Sequence, residues 1–580
     1  MFFARDAIDF LVKLNIIRRF FRSCRFFRRA DFLVDMSKSQ NYEISTARTD
    51  IIVIFDKNDI DGGIPMLKRL PIGEQDFAGL VEFNAIYADK TELIFNLSNL
   101  SKYVFLSRPR RFGKSLLISV LKYLFEGKKE LFKGLWIEDK IDWKPVSVIR
   151  IDFTKIDFAT KVLDDALDFA LQDNAEKYKV ELRGESLKER FINLIADLHS
   201  KTGERVVLLV DEYDKPIIDY INNTEKAEKN RMILRNFYGA IKACSDMLRF
   251  VFIAGISRFS KLSVFSELNN LVDISMDKNF AAICGFTKED LNEYFSEYKD
   301  AVCEELEISR DELDEKLGFW YDGYKFDGRT RIYNPFSMLN FFAAKEFKNF
   351  WFESGLPKLL ADFIYKNGVN VKLLDKITLS ETSLNNFDVM KIDLAALMFQ
   401  TGYLTIVEKN EFDQYVLDYP NEEVRRSFAN YLFVNFADIS DGELNAKKNS
   451  VMRALKAGNL NGFVVGVNSI MASIPYQIIP KENENYFSSL IYVMLRVMAA
   501  NITSELSSYH GRADAVIKTE DYIYIFEYKM APITAVEGIN QIKTRGYADE
   551  FMSDPRKKIA VSFVIDRAKR QISECVSEEL

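Results

Sequence analysis

The sequence predicts an α/β protein with a parallel-sheet domain first, a mainly helical region in the middle and a smaller α/β domain at the C-terminal end. From Leu70 to about Leu271, short apolar runs alternate with amphipathic helical stretches, which is typical of a mostly parallel sheet covered by helices. Residues 345 to about 470 have mainly helical patterns. After Lys481, a helical stretch leads into two apolar runs around a short polar turn, as in a β-hairpin.

The composition is that of an ordinary globular protein of several domains. The 580 residues are 48% hydrophobic and 28% charged, and no apolar run approaches the roughly 18 residues that a membrane span needs. The net charge of −7 excludes a uniformly basic nucleic-acid-binding protein but allows a local positive groove. The five cysteines are scattered without a C-x-x-C pair, so we predict no disulfide framework or zinc site and expect a cytoplasmic location.

The N-terminal residues 1–65 differ from the rest and are predicted to be a basic, poorly structured extension. Residues 1–30 carry eight Arg and Lys residues against two Asp residues, interleaved with Phe, Leu and Ile. Such a segment either contacts a membrane surface or nucleic acid, or is a dispensable extension ahead of Met66.

The first α/β domain is predicted to span residues 66–280. Its most apolar runs are the expected core strands, and the longest amphipathic stretches between them are the expected helices. The strands are predicted over 103–106, 146–153, 206–210 and 250–254, and the helices over 163–179 and 228–245.

An arginine-rich turn follows the first of these strands and opens into a helix. It reads Ser107-Arg108-Pro109-Arg110-Arg111-Phe112-Gly113-Lys114-Ser115. This is the layout of a phosphate-binding P-loop, in which backbone N–H groups and Lys114 hold the phosphates of ATP while Ser115 holds Mg²⁺. We predict Arg111 and Gly113 as further nucleotide-binding residues.

Arg108 stands where the general P-loop pattern has its first glycine. The alternative interpretation is therefore a basic loop that happens to precede a helix. If the loop does bind phosphate, its three arginines either stiffen it in place of the glycine or face a nucleic-acid or domain partner. Those arginines are Arg108, Arg110 and Arg111.

Two later strands end in polar residues that support the nucleotide site. The third predicted strand ends in Asp211 and Glu212, where an Asp binds Mg²⁺ and the adjacent Glu acts as general base for the attacking water. The fourth is followed by Ser257, which we predict to sense the γ-phosphate, and Arg258. Arg258 is either an arginine finger, in the same chain or across a subunit interface of a homo-oligomer, or a surface salt-bridging arginine.

The C-terminal hairpin brings two acids and a lysine together. If its turn centres on Glu520 and Asp521, pairing Thr519 with Tyr522 also places Asp514 opposite Glu527. Lys529 lies two residues beyond Glu527 and so projects from the same face. Two carboxylates and a lysine suit metal-dependent hydrolysis of phosphodiesters, in which the acids hold Mg²⁺ or Mn²⁺ and the lysine orients the attacking water.

Accessory residues of this site are also predicted around the hairpin. Gln541, with Tyr547, lies on a helix that either leans over the site or is an ordinary amphipathic helix. Glu484 and Glu505 flank the preceding helix and are either extra metal ligands or solvated helix residues, and His510 borders the hairpin.

Together these motifs resemble those of the bacterial AAA-ATPase-like family, whose members carry a C-terminal PD-(D/E)XK nuclease domain. The resemblance covers about residues 66–580. Beyond the motifs above, it is carried by Leu70-Pro71-Ile72-Gly73-Glu74-Gln75-Asp76-Phe77, Tyr87-Ala88-Asp89-Lys90-Thr91, Asp211-Glu212-Tyr213-Asp214-Lys215-Pro216, Tyr321-Asp322-Gly323-Tyr324, Asn334-Pro335-Phe336-Ser337, Pro420-Asn421-Glu422-Glu423-Val424 and Gly511-Arg512-Ala513-Asp514.

The resemblance implies a P-loop ATPase domain, a helical middle region and a restriction-endonuclease-like α/β domain. Arg108 is normal for this family, and Asp514, Glu527 and Lys529 match its metal-binding acids and its lysine, with Gln541 on the following helix. We accordingly divide the chain into 1–65, the extension; 66–280, the ATPase domain; 281–345, a lid or small subdomain; 346–470, the helical region with a hairpin; and 471–580, the nuclease-like domain.

The expected function is an ATP-regulated, metal-dependent nuclease, with DNA as the favoured substrate. One alternative is a nucleotide-switched DNA-binding or interaction protein whose nuclease fold no longer cuts, which the net negative charge favours and the intact acid and lysine set disfavours. Another is an ATPase that acts on protein partners.

Overall fold

The computed structural model describes residues 25–28, 42–46, 51–56, 67–258, 264–265, 268, 270–351, 357–367, 369, 371–374, 376–385, 393–437, 441–473, 484–499 and 513–580. The chain forms two compact units, Met1–Lys68 and Arg69–Leu580. In the first, strands β1 (Arg25–Arg28), β2 (Tyr42–Thr46) and β3 (Ile51–Asp56) form an antiparallel sheet in the order β1-β3-β2. The sequence predicts a poorly structured extension over residues 1–65, and it does not predict this sheet.

The second unit begins with a five-stranded, wholly parallel sheet. Its strands are β4 (Tyr103–Ser107), β5 (Val148–Asp152), β6 (Val206–Asp211), β7 (Leu248–Gly255) and β8 (Val272–Asp273), in the order β5-β6-β7-β4-β8. All four predicted strands are present. Every residue of β4 and β6 is buried, because helices cover both faces, and this explains their unbroken apolar runs. The parallel arrangement brings the ends of β4, β6 and β7 to one edge.

The helices of this domain lie between its strands and before them. They are α1 (Phe77–Glu82), α2 (Thr91–Leu100), α3 (Lys114–Phe125), α4 (Leu163–Tyr178), α5 (Leu187–Thr202), α6 (Lys215–Ile218) and α7 (Thr224–Ala243). Short 3₁₀ helices lie at Lys129–Phe132 and Lys278–Phe280 in this domain, and at Val371–Leu374 and Asp549–Phe551 later in the chain.

Four helices with their own aromatic core follow the parallel sheet. They are α8 (Lys288–Tyr294), α9 (Ser296–Leu306), α10 (Arg310–Tyr321) and α11 (Pro335–Ala344). Phe295, Tyr321 and Phe341 lie at the centre of this small core.

The middle region is mainly helical, as predicted. Its helices are α12 (Pro357–Asn367), α13 (Glu381–Asn385), α14 (Leu394–Thr401), α15 (Glu422–Ala437), α16 (Asp441–Lys456) and α17 (Leu460–Ala472). The predicted hairpin is present as β10 (Thr405–Lys409) and β11 (Tyr415–Asp418), which β9 (Ile377–Leu379) extends to an antiparallel sheet in the order β10-β11-β9.

The C-terminal domain begins with helix α18 (Glu484–Ala499) and contains a four-stranded sheet. The strands are β12 (Ala515–Lys518), β13 (Tyr522–Met530), β14 (Lys557–Asp566) and β15 (Gln571–Glu579). Helix α18 packs against β12, and helix α19 (Ala535–Thr544) packs against the other three strands. The sheet has the order β12-β13-β14-β15, in which only β13 and β14 are parallel. The sequence predicts the hairpin and α19 but misses β14 and β15. Within the part of the chain described above, no helix is long and apolar enough to cross a bilayer.

Candidate functional site

The arginine-rich turn forms a closed loop at the N-terminus of α3. Gly113 precedes the helix with φ +92°, a left-handed conformation that glycine adopts without steric cost, and Arg111 also has a positive φ of 67°. Lys114 is buried, and its Nζ donates hydrogen bonds to the carbonyls of Arg108 (2.9 Å) and Pro109 (3.0 Å). The loop therefore wraps around its own lysine at the positive end of a helix dipole.

A cavity of about 690 Å³ opens in front of this loop. Gly113, Lys114 and Ser115 line it together with Glu212, and Leu80, Ile86, Leu117, Phe286, Phe336 and Leu339 supply an apolar wall. Small-molecule sites commonly have about 300–1,000 Å³ with mostly apolar walls and a few polar groups. The cavity suits a ligand with a flat apolar base and a polyphosphate.

Asp211 ends β6 beside the loop, as the sequence predicts. Burial raises its pKa to about 6, an effect that the Ser115 hydroxyl and the Lys114 ammonium partly offset. Neither carboxylate oxygen of Asp211 has a hydrogen bond of ordinary geometry to a described residue, and the Arg150 guanidinium is 3.8 Å away. A buried carboxylate with two open oxygens beside a serine hydroxyl fits a divalent cation, so Ser115 and Asp211 are the residues that would hold Mg²⁺.

Ser257 makes its contacts inside the protein rather than with the cavity. Its hydroxyl and backbone N–H both donate to Asp214 (2.6 Å each), and the N–H of Ile256 donates to the same carboxylate at 3.0 Å. Burial raises the pKa of Asp214 to about 6, although the hydrogen bonds from Ser257 act to lower it. Asp214 thus joins the ends of β6 and β7. This role is not among the sequence-based predictions, although Asp214 follows Glu212 by two residues.

Arg258 is committed to a buried ion pair. Its Nη2 and Nε lie 2.6 and 3.0 Å from Asp273, and its backbone N–H donates to Gln400 at 3.0 Å. This geometry matches the salt-bridging alternative, except that the pair is buried instead of at the surface. The arginine-finger role stays a prediction, and these contacts do not support it.

Arg108 braces the loop from within. Its guanidinium donates to the carbonyls of Ser107 (2.9 Å) and Ser275 (2.7 Å), and more weakly to those of Phe280 and Ala281. It is almost fully buried, and burial lowers its pKa to about 10. Of the two alternatives for the arginines, Arg108 therefore takes the first, since it stiffens the loop in place of a glycine.

Replacing Arg108 with alanine is expected to lower the free energy of unfolding by about 3 kcal/mol, because buried carbonyls lose a charged donor. The measurement is the urea midpoint of tryptophan fluorescence. Arg205→Ala is the control, because Arg205 is exposed, and it should change stability by less than about 0.5 kcal/mol. Equal midpoints for the two variants would show that Arg108 does not brace the loop.

The second candidate site lies on the C-terminal hairpin, and its predicted register is confirmed. Ala515 pairs with Phe526, and Lys518 pairs with Ile523. The ladder ends at that first pair, and the N–H of Asp514 donates to the carbonyl of Phe526 at 3.0 Å. Asp514 and Ala515 therefore both lie against Phe526, and the direct pairing of Asp514 with Glu527 stays a prediction.

Glu527, Lys529 and Gln541 form one hydrogen-bonded cluster, and Asp514 lies beside it against the backbone of Tyr528. Asp514 and Glu527 are 2% and 4% exposed, and Asp514 accepts a hydrogen bond from the N–H of Tyr528 at 2.8 Å. Lys529 Nζ lies 2.9 Å from Glu527 Oε1 and 2.5 Å from Gln541 Oε1. Gln541 in turn donates to the Tyr547 hydroxyl at 3.2 Å. Of the two interpretations of α19, the helix does lean over the site.

Two buried carboxylates and one ammonium leave a net negative charge, which fits a cation. Among the described residues, no group of three or more His, Cys, Asp and Glu side chains could hold a metal ion. Asp514 and Glu527 are the residues that would hold a cation here, and Mg²⁺ fits two carboxylates because this ion commonly keeps waters and substrate phosphates as its other ligands. Glu484 is the first residue of α18, and its side chain lies outside the described part, as do Glu505 and His510.

Because Gly538 has no side chain, α19 can pack closely against the sheet next to this cluster. A Cβ at this position would lie 2.0 Å from Ser562 Oγ and 3.6 Å from Glu527 Cγ. We expect Gly538→Ala to cost about 1–3 kcal/mol of stability by overpacking. Gly442→Ala is the control, because Gly442 is an exposed residue in the first turn of α16 with open space around it, and this change should alter stability by less than about 0.5 kcal/mol. Thermal melting of both variants measures this, and a neutral Gly538→Ala would contradict the close packing.

Comparisons with known proteins match the two regions of the chain that contain these candidate sites. The model of the predicted AAA-ATPase family matches residues 71–265, and that of the PD-(D/E)XK nuclease superfamily matches residues 482–575. A protein of Azotobacter chroococcum mcd 1, described as an uncharacterized protein in the vnfD 5' region, is 35% identical over 530 residues, which cover 88% of this chain and 99% of that protein.

Proposed function

We propose that this chain is an ATP-regulated, metal-dependent nuclease that cleaves phosphodiester bonds in DNA. The premise is that the chain belongs to the family of predicted AAA-ATPases that carry a PD-(D/E)XK nuclease superfamily domain. The two family matches support the broader description of a nucleotide-binding, nuclease-like protein. The observation that carries the finer proposal is the buried cluster of Asp514, Glu527 and Lys529.

In the nucleotide site, each predicted residue has a separate role. Lys114 would exchange its two loop carbonyls for phosphate oxygens, and Ser115 and Asp211 would hold Mg²⁺. Glu212 lines the same cavity and would orient and deprotonate the attacking water. Arg111 and Gly113 shape the loop through their positive φ angles.

In the nuclease site, the charged cluster would orient the scissile phosphate and the water. Bound Mg²⁺ or Mn²⁺ would lower the pKa of a coordinated water and polarise the phosphate. Lys529 is positioned by Glu527 and Gln541, so its ammonium would steady the charge that develops on the phosphate. Burial of both acids favours a charged partner over an empty site.

Regulation by ATP is supported by contacts of the middle region with both domains. Gln400 of α14 accepts the hydrogen bond from the backbone of Arg258 (3.0 Å), at the end of β7. On the other side, Leu455 of α16 accepts from the Tyr524 hydroxyl at 2.8 Å, and Asn468 of α17 accepts from the N–H of Ile572 at 2.7 Å. A change at the loop therefore has packed elements through which to reach β13.

We also propose that the protein is located in the cytoplasm, where ATP is available. The described cysteines, Cys244, Cys284, Cys303 and Cys575, are free thiols, which a reducing compartment maintains. A homo-oligomer remains an expectation.

The test is cleavage of supercoiled plasmid by the full-length protein with Mg²⁺ or Mn²⁺, with and without ATP. Cleavage whose rate changes with ATP supports the proposal. Plasmid retention without cleavage, weakened by Lys114→Ala, would instead identify a nucleotide-switched DNA-binding protein with an inactive nuclease fold. ATP turnover that DNA does not stimulate, without cleavage, would point to an ATPase that acts on proteins.

A further inference from the structure

The arginine-rich half of the phosphate loop contacts residues far downstream in the chain. We call residues 108–112 the docking segment. Each of its five members contacts at least one group downstream. The Arg108 guanidinium lies 4.2 Å from the Phe326 ring centre, and Pro109 packs against Gly402. The Arg110 carbonyl accepts a 3.3 Å hydrogen bond from Trp351 Nε1. The Arg111 guanidinium lies 3.7 Å from the Phe336 ring centre, and the Phe112 ring centre lies 4.8 Å from that of Tyr324.

Glu423 holds the tryptophan of this set in place. It is fully buried in the first turn of α15, and its Oε1 accepts hydrogen bonds from the N–H groups of Phe350 (2.6 Å) and Trp351 (2.9 Å). Its Oε2 accepts from the Ser337 hydroxyl at 2.7 Å. One buried carboxylate thus joins α15 to α11 and to the segment that bears the indole.

The close packing around Trp351 leaves the indole little freedom. The side chain is fully buried, and its ring lies 5.2 Å from that of Tyr403. Gly402 adopts φ +88°, and a Cβ there would lie 2.8 Å from Pro109 and 3.4 Å from the indole. The position of the indole therefore depends on its backbone, which Glu423 fixes.

The helix that carries Glu423 also leads towards the nuclease hairpin. Helix α15 packs against α18, and α18 packs against β12, the strand that follows Asp514. The Glu423 carboxylate thus lies in an element between the phosphate loop and the second site.

We propose that Glu423 is a positioning residue for nucleotide binding: by fixing Phe350 and Trp351, it holds the indole against the carbonyl of Arg110 and so couples the phosphate loop to the middle region. This inference rests on the proposed nucleotide site. It assigns a role to the Asn334–Ser337 and Pro420–Val424 motifs, which the catalytic residues leave unexplained.

The first test measures the affinity of full-length variants for a fluorescent ATP analogue with Mg²⁺. Glu423→Ala should bind about tenfold more weakly than wild type, within the usual range of coupling between sites. Glu423→Gln should stay within about threefold, because its amide oxygen still accepts both N–H groups and its amide nitrogen can donate to Ser337. Glu422→Gln is the matched control in the same helical turn, because Glu422 is also buried but pairs with Arg426.

The second test follows the indole itself. Nucleotide should change the tryptophan emission of wild type, and Trp351→Phe should remove most of that change, whereas Trp136→Phe should keep it because Trp136 is partly exposed on the surface. Wild-type affinity in folded Glu423→Ala, or an emission change that survives Trp351→Phe, would overturn the inference. If wild type itself binds no nucleotide, the proposed function fails and this inference fails with it.

Discussion

Asp514→Asn is expected to reduce metal-dependent cleavage by about 10³-fold, equivalent to about 4 kcal/mol of activation free energy. Asparagine removes the negative charge that would hold the cation, but its side-chain oxygen can still accept the hydrogen bond from the N–H of Tyr528. The fold should therefore survive while the chemistry is lost. The measurement is the initial rate of plasmid cleavage at several Mg²⁺ and Mn²⁺ concentrations.

The hairpin provides a matched control for this substitution. Asp521 is an aspartate on the same hairpin but exposed at its turn, so Asp521→Asn should cleave at the wild-type rate. Asp514→Asn should also keep wild-type affinity for ATP, because the nucleotide cavity is lined by other residues. Undiminished cleavage by folded Asp514→Asn would exclude the hairpin as the catalytic centre.

The sequence predicts those parts of the fold that depend on neighbours along the chain. The register of β12 and β13 follows from one short turn, so it can be predicted to the residue. The four core strands of the first domain follow from unbroken apolar runs. By contrast, β14 pairs in parallel with β13 across the crossover helix α19, and that pairing is not encoded by any turn. The apolar run of β14 is itself a strand signal, although β14 is not among the predicted strands.

The site shows the same division between local and distant determinants. The order of residues around Lys114 and Asp211 predicts that they meet at one sheet edge, because parallel strands end together. The partners of Arg108 and Arg258 cannot be predicted in this way, since Ser275 lies in a turn and Asp273 in the two-residue strand β8, and the positions of both depend on tertiary packing. A charged residue after a strand has the same sequence pattern whether it faces a ligand or an internal carboxylate.

Lys114→Ala is expected to weaken ATP binding at least about 100-fold, or about 2.8 kcal/mol, because the loop loses the one ammonium that it encloses. If ATP regulates cleavage through this loop, the cleavage rates of Lys114→Ala with and without ATP should become equal. The measurements are titration with a fluorescent ATP analogue and plasmid cleavage at a fixed Mg²⁺ concentration. Lys128→Ala, an exposed lysine just beyond the same helix, should behave as wild type in both.

The two variants together separate regulation from chemistry. Asp514→Asn should bind ATP and fail to cleave, whereas Lys114→Ala should fail to bind ATP and still possess the intact cluster of Asp514, Glu527 and Lys529. A residual cleavage rate in Lys114→Ala then measures the nuclease without its nucleotide, and its ratio to the ATP-bound wild-type rate gives the factor by which bound ATP changes cleavage. Cleavage by Lys114→Ala that still responds to ATP would show that a different site senses the nucleotide.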